Sequence, residues 1–239
     1  MSLLRYLPNA LTCGNLLCGC IGLREAFAGR LETAAFLIGL AAVFDFFDGF
    51  AARALRVQSP IGKELDSLAD AVTFGVLPGA IAFVLLGRAG AGAEGLVAGV
   101  PLGWAHVAFM IPICSALRLA NFNIDERQTD QFIGLPTPAN ALFWASLPLI
   151  LAGGSAGPPV WFTPWVLAVA VVVMSLLLVA ELPLFALKFK SYRPADNWLR
   201  YGFLVLSLVL IFVFSFLAVP LIILLYVLLS VLQRILPNP

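Results

Sequence analysis

Four aspartates lie close together in the first third of this sequence, and their spacing allows them to act as one chemical group. Asp45 and Asp48 are three residues apart, so one helix can present both on one face. Asp66 and Asp70 are four apart and can do the same on the next helix. Four convergent carboxylates repel one another unless cations lie between them. A set of ligands made only of carboxylate oxygens favours Mg²⁺, Mn²⁺ or Ca²⁺.

The residues between the two aspartate pairs favour a phosphate-containing ligand. Arg53 provides a fixed positive charge suited to phosphate oxygens, and Ser59 offers a hydroxyl in a predicted turn at 57–62. Gly49 and Ala52 are small, so a helix or a ligand can approach closely. Carboxylates, cations and an arginine together suit a pyrophosphate. Two metals can clamp the phosphoryl and leaving oxygens, and one aspartate can accept a proton from an attacking hydroxyl.

The composition places these charges in a membrane protein. Of the 239 residues, 62% are hydrophobic and 11% are charged, and the mean hydropathy is +1.01. Such a chain is predicted to be an all-α integral membrane protein forming one membrane-embedded domain over residues 1–239. The net charge of +1 gives no support to a nucleic-acid partner.

Apolar segments long enough to cross a bilayer, which needs about 20 residues, recur along the whole chain. We expect about eight membrane-spanning helices, with a turn near residues 218–220 separating the last two. The predicted spans are 8–27, 32–55, 63–86, 96–121, 137–154, 161–185, 199–216 and 218–235.

The distribution of Lys and Arg predicts the orientation of these helices. With an even number of spans, both termini share one side of the membrane. Only Arg24, Arg30 and Arg88 fall on the other side, and the remaining 11 of 14 basic residues fall on the side of the termini. Positive charge is enriched in cytoplasmic loops. The sequence therefore predicts cytoplasmic termini and cytoplasmic aspartates, in the cell (inner or plasma) membrane.

At this point the chain resembles a known family. The pattern D-x2-D-G-x2-A-R-x8-G-x3-D-x3-D at 45–70 is the signature of the CDP-alcohol phosphotransferases, and every specified position matches. The resemblance implies that Asp45, Asp48, Asp66 and Asp70 bind two divalent cations, Mg²⁺ or Mn²⁺, and that Asp70 is also the general base. It implies a homodimer, and a core of six membrane helices that leaves the two helices from about 199 as an addition.

The same resemblance implies a binding site for a CDP-linked lipid. The residues predicted to line it are Asp48, Gly49, Ala52, Arg53, Ser59 and Gly62. Asn9, Thr12 and Asn15 have two open interpretations, which are contacts with the nucleotide and hydrogen bonds between helices.

Further segments resemble the phosphatidylserine synthase subfamily. They lie at 7–15, 66–78, 116–123, 132–139 and 187–191. Two positions depart from the subfamily pattern: Thr73 stands where Ser is usual, and Asn121 where Arg is usual. This resemblance implies transfer of the phosphatidyl group from CDP-diacylglycerol to L-serine.

A serine carboxylate needs a cationic partner, and three residues are candidates for its site. Arg118 is the first choice for binding the serine carboxylate, and Asn121 and Lys188 are the other two candidates. Lys188 can equally anchor the chain to anionic lipid headgroups. Two other functions stay open. One is the same reaction with glycerol 3-phosphate, inositol phosphate or choline as acceptor, and the more distant one is a cation transporter that uses the aspartates as its pathway.

Overall fold

A computed structural model describes residues 3–57, 59–91, 102–125, 132–154, 159–184 and 197–235. Within these ranges the fold is almost entirely helical, as predicted. The helices are α1 (Leu7–Phe27), α2 (Leu31–Leu55), α3 (Pro60–Asp70), α4 (Leu77–Ala91), α5 (Leu102–Ala105), α6 (Met110–Ile124), α7 (Thr137–Gly153), α8 (Pro164–Val179), α9 (Trp198–Phe214) and α10 (Ala218–Ile235). Two short strands, β1 (Phe132–Ile133) and β2 (Pro183–Leu184), pair antiparallel.

Four stretches of the described chain are long and apolar enough to cross a membrane. They are Leu31–Leu55, Pro60–Gly90, His106–Ile124 and Trp198–Gln233. A membrane protein is therefore confirmed, whereas eight spans and cytoplasmic termini stay predictions. The helices α7 and α8 have 17 and 16 residues, fewer than a straight crossing needs.

The chain reverses direction between α9 and α10, so the last apolar stretch is a helical hairpin. The rings of Phe203 and Tyr226 lie 5.8 Å apart, whereas 23 residues of straight helix would span about 35 Å. The reversal is at Ser215, with φ 49° and ψ −123°. Two helices were correctly predicted here, but the turn lies before Ala218, because Ala218 already begins α10.

The predicted span 161–185 is too long. The helix α8 ends at Val179, and Ala180 is extended (ψ 136°) and leads into β2. The amide of Leu135 donates to the carbonyl of Leu177 (2.8 Å), and the amide of Gly134 donates to that of Leu182 (2.9 Å). These contacts with the segment before α7 end the helix, and the hydropathy of the sequence does not reveal them.

The helices α3 and α4 form one rod through a π-helical segment, Ala71–Val76, that follows Asp70 directly. Such insertions often occur at functional sites. The rod packs closely on α6, because a Cβ atom at Gly79 would lie 2.8 Å from Pro112 Cδ. Gly75 also faces α6, at Ser115. The Gly75-x-x-x-Gly79 pattern therefore serves packing within one chain, and the homodimer stays a prediction.

The fold brings five helix ends together at one end of the bundle. These are the start of α1, the end of α2, the start of α3 and the ends of α6 and α8. Below them lies a core of large buried side chains, which includes Phe74, Leu77, Ile81, Leu85 and Trp144. The tight core fixes the helix axes, so the polar residues at the helix ends hold defined positions.

Candidate metal centre and adjoining cavities

Three of the four aspartates form a compact cluster between α2 and α3. One carboxylate oxygen from each of Asp45, Asp48 and Asp66 lies within 4.8 Å of the others. Asp48 is buried, and its two partners are half-buried. The Oδ1 atom of Asp66 is buried and has no hydrogen-bond partner. The helical spacing predicted this convergence, and the cluster can hold a metal ion.

Asp48 and Asp70 are each held by a side chain of α1. The hydroxyl of Thr12 donates to Asp48 Oδ2 over 2.7 Å, and the side-chain amide of Asn15 donates to Asp70 Oδ1 over 3.0 Å. Thr12 and Asn15 lie three apart, so they share one face of α1. That face explains the polar residues inside an otherwise apolar first helix.

Asp70 borders the three-carboxylate cluster without belonging to it. It is 8% exposed, and it repels the charges of Asp45 and Asp66 electrostatically. The predicted set of four therefore divides into three clustered carboxylates and a fourth that is held separately by Asn15.

A cleft of about 650 Å³ opens beside the cluster. Eight of the nine residues predicted to contact the CDP-linked lipid line it: Asn9, Thr12, Asp48, Gly49, Ala52, Arg53, Ser59 and Gly62. The ninth residue, Asn15, is fully buried and lies outside the cleft lining. Its side chain forms the hydrogen bond between helices described above, and its contact with the nucleotide stays a prediction.

Ser59 has a structural role that the sequence analysis missed. Its side chain accepts a hydrogen bond from the amide of Gly62 (3.1 Å) and so caps the N-terminus of α3. Ser before Pro60 at the first helical position is a recognisable capping signal. The cap fixes the end of α3 that borders the cleft.

Lys63 and Phe122 also line the cleft and were not predicted. The ammonium group of Lys63 donates to the carbonyl of Asn123 over 3.0 Å, and the side-chain amide of Asn123 donates to Ser67 Oγ over 2.8 Å. These bonds join α3 to the end of α6. The sequence does contain a signal that could have identified Lys63 as a site residue, because Lys63 lies three residues before Asp66 and therefore on the same face of the helix.

A second cavity of about 380 Å³ lies between the ends of α6 and α8. Arg118 and Asn121, both predicted to bind serine, line it. Arg118 is 7% exposed, and its Nε atom has no hydrogen-bond partner. Its guanidinium carbon lies 5.8 Å from the ring centroid of Phe122, which lines the first cleft. Lys188, the third predicted residue, lies outside the described residues.

Arg118 is electrostatically connected to both the acidic region and the C-terminal hairpin. Its positive charge interacts with the carboxyl of Asp70 and with Tyr226 of α10. Tyr226 was not among the predicted site residues.

The fold and the site together define a class of protein: a helical membrane protein that carries a candidate metal centre at the end of its helices, beside a cleft with cationic side chains. Comparison with known proteins agrees with this class. A model of the CDP-alcohol phosphatidyltransferase family matches residues 5–176, which is more than half of the chain. The chain belongs to this family, so the predicted enzyme class is confirmed.

Several curated relatives carry the name CDP-diacylglycerol–serine O-phosphatidyltransferase. The protein of Bacillus subtilis is 34% identical over 64% of this chain and 84% of its own length. That of Mycobacterium leprae is 33% identical over 80% of this chain and 62% of its own length. A Methanocaldococcus jannaschii protein is 41% identical over 44% of this chain and 45% of its own length.

Proposed function

We propose that this protein transfers the phosphatidyl group of CDP-diacylglycerol to L-serine and so forms phosphatidylserine and CMP. The observation that carries the proposal is the three-carboxylate cluster opening onto a cleft that also presents Arg53 and Lys63. A pyrophosphate needs both kinds of group, because its oxygens bind metal ions and cationic side chains. The names of the curated relatives support the choice of substrates.

The residues of the cluster fit a divalent metal. Three carboxylates lie within 4.8 Å of one another, and one buried oxygen, Asp66 Oδ1, lacks a donor. An oxygen-only ligand set suits Mg²⁺ or Mn²⁺. We infer two such ions, held by Asp45, Asp48 and Asp66 together with Asp70. When bound, the ions neutralise phosphate charge and polarise the phosphorus–oxygen bonds.

The first cleft is the proposed site of the CDP group. Arg53 is exposed at the end of α2 and can pair with phosphate oxygens through two parallel hydrogen bonds. Gly49 lies one helical turn before Arg53, and a Cβ atom there would be 3.5 Å from its guanidinium. Since this is an ordinary contact distance, the guanidinium does not itself require a glycine, and the small residue leaves room for a phosphate beside it.

The proposed chemistry is a direct displacement at phosphorus. The serine hydroxyl oxygen forms a bond to the phosphorus of the phosphatidyl group, the bond from that phosphorus to CMP breaks, and Asp70 accepts the hydroxyl proton. No covalent enzyme intermediate is expected. Ser59 caps α3 and Ser67 bonds to the carbonyl of Lys63 (3.3 Å), so neither serine has the basic partner that a nucleophile needs.

The second cavity is the proposed site of the acceptor carboxylate. Arg118 offers a buried cation with an unpartnered Nε, and Asn121 lies beside it. The electrostatic interaction of Arg118 with Asp70 supports an acceptor position near the proposed base. We propose Lys188 as an additional cation, and we propose that the site faces the cytoplasm, where serine and CMP are soluble.

The test is CMP release by the purified protein in detergent, with CDP-diacylglycerol and Mg²⁺ or Mn²⁺. L-Serine, glycerol 3-phosphate, inositol phosphate and choline are supplied as separate acceptors. We expect serine-dependent release that EDTA abolishes, with phosphatidylserine as the lipid product. Release with another acceptor alone would overturn the choice of serine. Cation flux into proteoliposomes, without CMP release from folded protein, would favour the transporter.

A further inference from the structure

The second cavity is also lined by acidic residues that the function proposed above does not use. Glu181 and Asp125 line this cavity, and so do Leu178, Val179 and Ala180. The last three residues form the C-terminal end of α8. The cavity therefore combines one buried cation, Arg118 of α6, with two carboxyl groups, those of Glu181 just after α8 and Asp125 just after α6.

The end of α8 is held in place by the segment before α7. Gly134 has a φ of +75°, and a Cβ atom at this position would lie 2.5 Å from the carbonyl oxygen of Leu178. Only a glycine fits such an approach in a left-handed conformation. Together with the antiparallel pairing of β1 and β2, this contact fixes the direction in which the chain leaves α8. Glu181 follows two residues after the helix end.

We propose that Glu181, which follows the C-terminal end of α8, forms a subsite for the ammonium group of the acceptor. The inference rests on the proposed function and extends it by naming the groups that select an amino acid. Arg118 binds the carboxylate, and Glu181 binds the ammonium. The buried, unpartnered Nε of Arg118 is the independent sign that this cavity takes a polar ligand.

The charge pattern discriminates among the acceptors considered above. Glycerol 3-phosphate and inositol phosphate bring a phosphate group, which the carboxylate of Glu181 would repel. Choline brings a cation without a carboxylate, which leaves buried Arg118 without an anion. Serine alone in this set brings one charge of each sign. The subsite thus contributes to specificity in two ways, because it attracts the ammonium group of serine and repels phosphorylated acceptors.

The test compares steady-state kinetics of the wild type with Glu181→Gln, which keeps the shape of the side chain and removes its charge. Loss of a charge-assisted hydrogen bond predicts a KM for L-serine about tenfold higher, with kcat and the KM for CDP-diacylglycerol within about twofold of the wild type. Glu181→Asp keeps the charge on a shorter side chain, and its KM for L-serine is expected to lie between those of the wild type and Glu181→Gln. Glu32→Gln is the matched control, because Glu32 is exposed in the first turn of α2, at the end of that helix away from the aspartate cluster.

Competitive inhibitors separate binding from chemistry. L-Alanine carries both charges but no hydroxyl, so its inhibition constant is expected to rise with the serine KM in Glu181→Gln. Propionate lacks the ammonium, and its inhibition constant is expected to stay unchanged. An unchanged serine KM in Glu181→Gln, with an active serine-using wild type, would overturn the subsite and leave the proposed function standing. A wild type that uses no serine would instead overturn the proposed function.

Discussion

The side-chain amide of Asn15 donates a hydrogen bond to Asp70 over 3.0 Å, across 55 positions of sequence. Asn15 is fully buried, and its backbone carbonyl in turn accepts a hydrogen bond from Thr73 Oγ1 over 3.1 Å. The first helix is therefore joined to the α3–α4 rod on both sides of the point where the π-helical segment begins. This arrangement fixes the orientation of the proposed base.

Replacing Asn15 with alanine is expected to lower kcat about tenfold while leaving the KM for CDP-diacylglycerol within about twofold. The reason is that Asp70 loses the donor that orients it, whereas the cleft lining stays intact. Steady-state CMP release measures both constants. Cys13→Ala serves as the control, because Cys13 is exposed on the same helix. A KM effect without a kcat effect would contradict a role through Asp70.

Replacing Thr12 with valine is expected to raise the Mn²⁺ concentration for half-maximal activity about tenfold. Valine keeps the shape of threonine but removes the hydroxyl that donates to Asp48 over 2.7 Å, and groups that orient metal ligands affect affinity on this scale. Thr12→Ser retains the donor and is expected to behave like the wild type. Equal losses in the two variants would assign the effect to packing.

The sequence predicted the convergence of the clustered aspartates because its signals are local. A spacing of three or four residues within a helix places Asp45 with Asp48 and Asp66 with Asp70 on single faces, whatever the rest of the fold does. The bounds of α10, Ala218–Ile235, match the predicted span 218–235, because the turn signal at 218–220 and the polar residues Gln233 and Arg234 are also local. Local periodicity is visible without tertiary structure.

The parts that were missed depend on contacts between distant residues. The helix α8 ends early because the amide of Leu135 donates a hydrogen bond to its last turn, and the amide of Gly134 donates one to the segment that follows it. The apolar sequence of α8 contains no signal for this end. The hydrogen bond of Asn15 to Asp70 could not be predicted, because a polar residue inside an apolar helix can contact either a ligand or a neighbouring helix. Only the position of Asp70 decides between these roles.

Divalent metal is expected to raise the thermal midpoint of the protein in detergent by about 5 °C, because it binds only the folded cluster. Removal of metal with EDTA should reverse the shift. Asp66→Asn is expected to raise the midpoint of the metal-free protein, since one repelling charge is lost, and to reduce the shift caused by Mg²⁺. Glu32→Gln, a distant loss of the same charge, should leave the shift unchanged. A full shift in Asp66→Asn would place the metal elsewhere.

Replacing Lys63 with methionine is expected to raise the KM for CDP-diacylglycerol about fivefold and to leave the serine KM unchanged. Methionine keeps the unbranched side chain but removes the cation that faces the first cleft, and an exposed cation paired with phosphate contributes on this scale. The difference from the wild type should shrink at high salt, since ions screen exposed charges. Lys63→Arg should retain most of the affinity. The control is Arg5→Ala, which removes an exposed positive charge outside the cleft lining. If Arg5→Ala raised the KM for CDP-diacylglycerol as much as Lys63→Met does, the effect would come from the overall surface charge and not from a specific contact of Lys63.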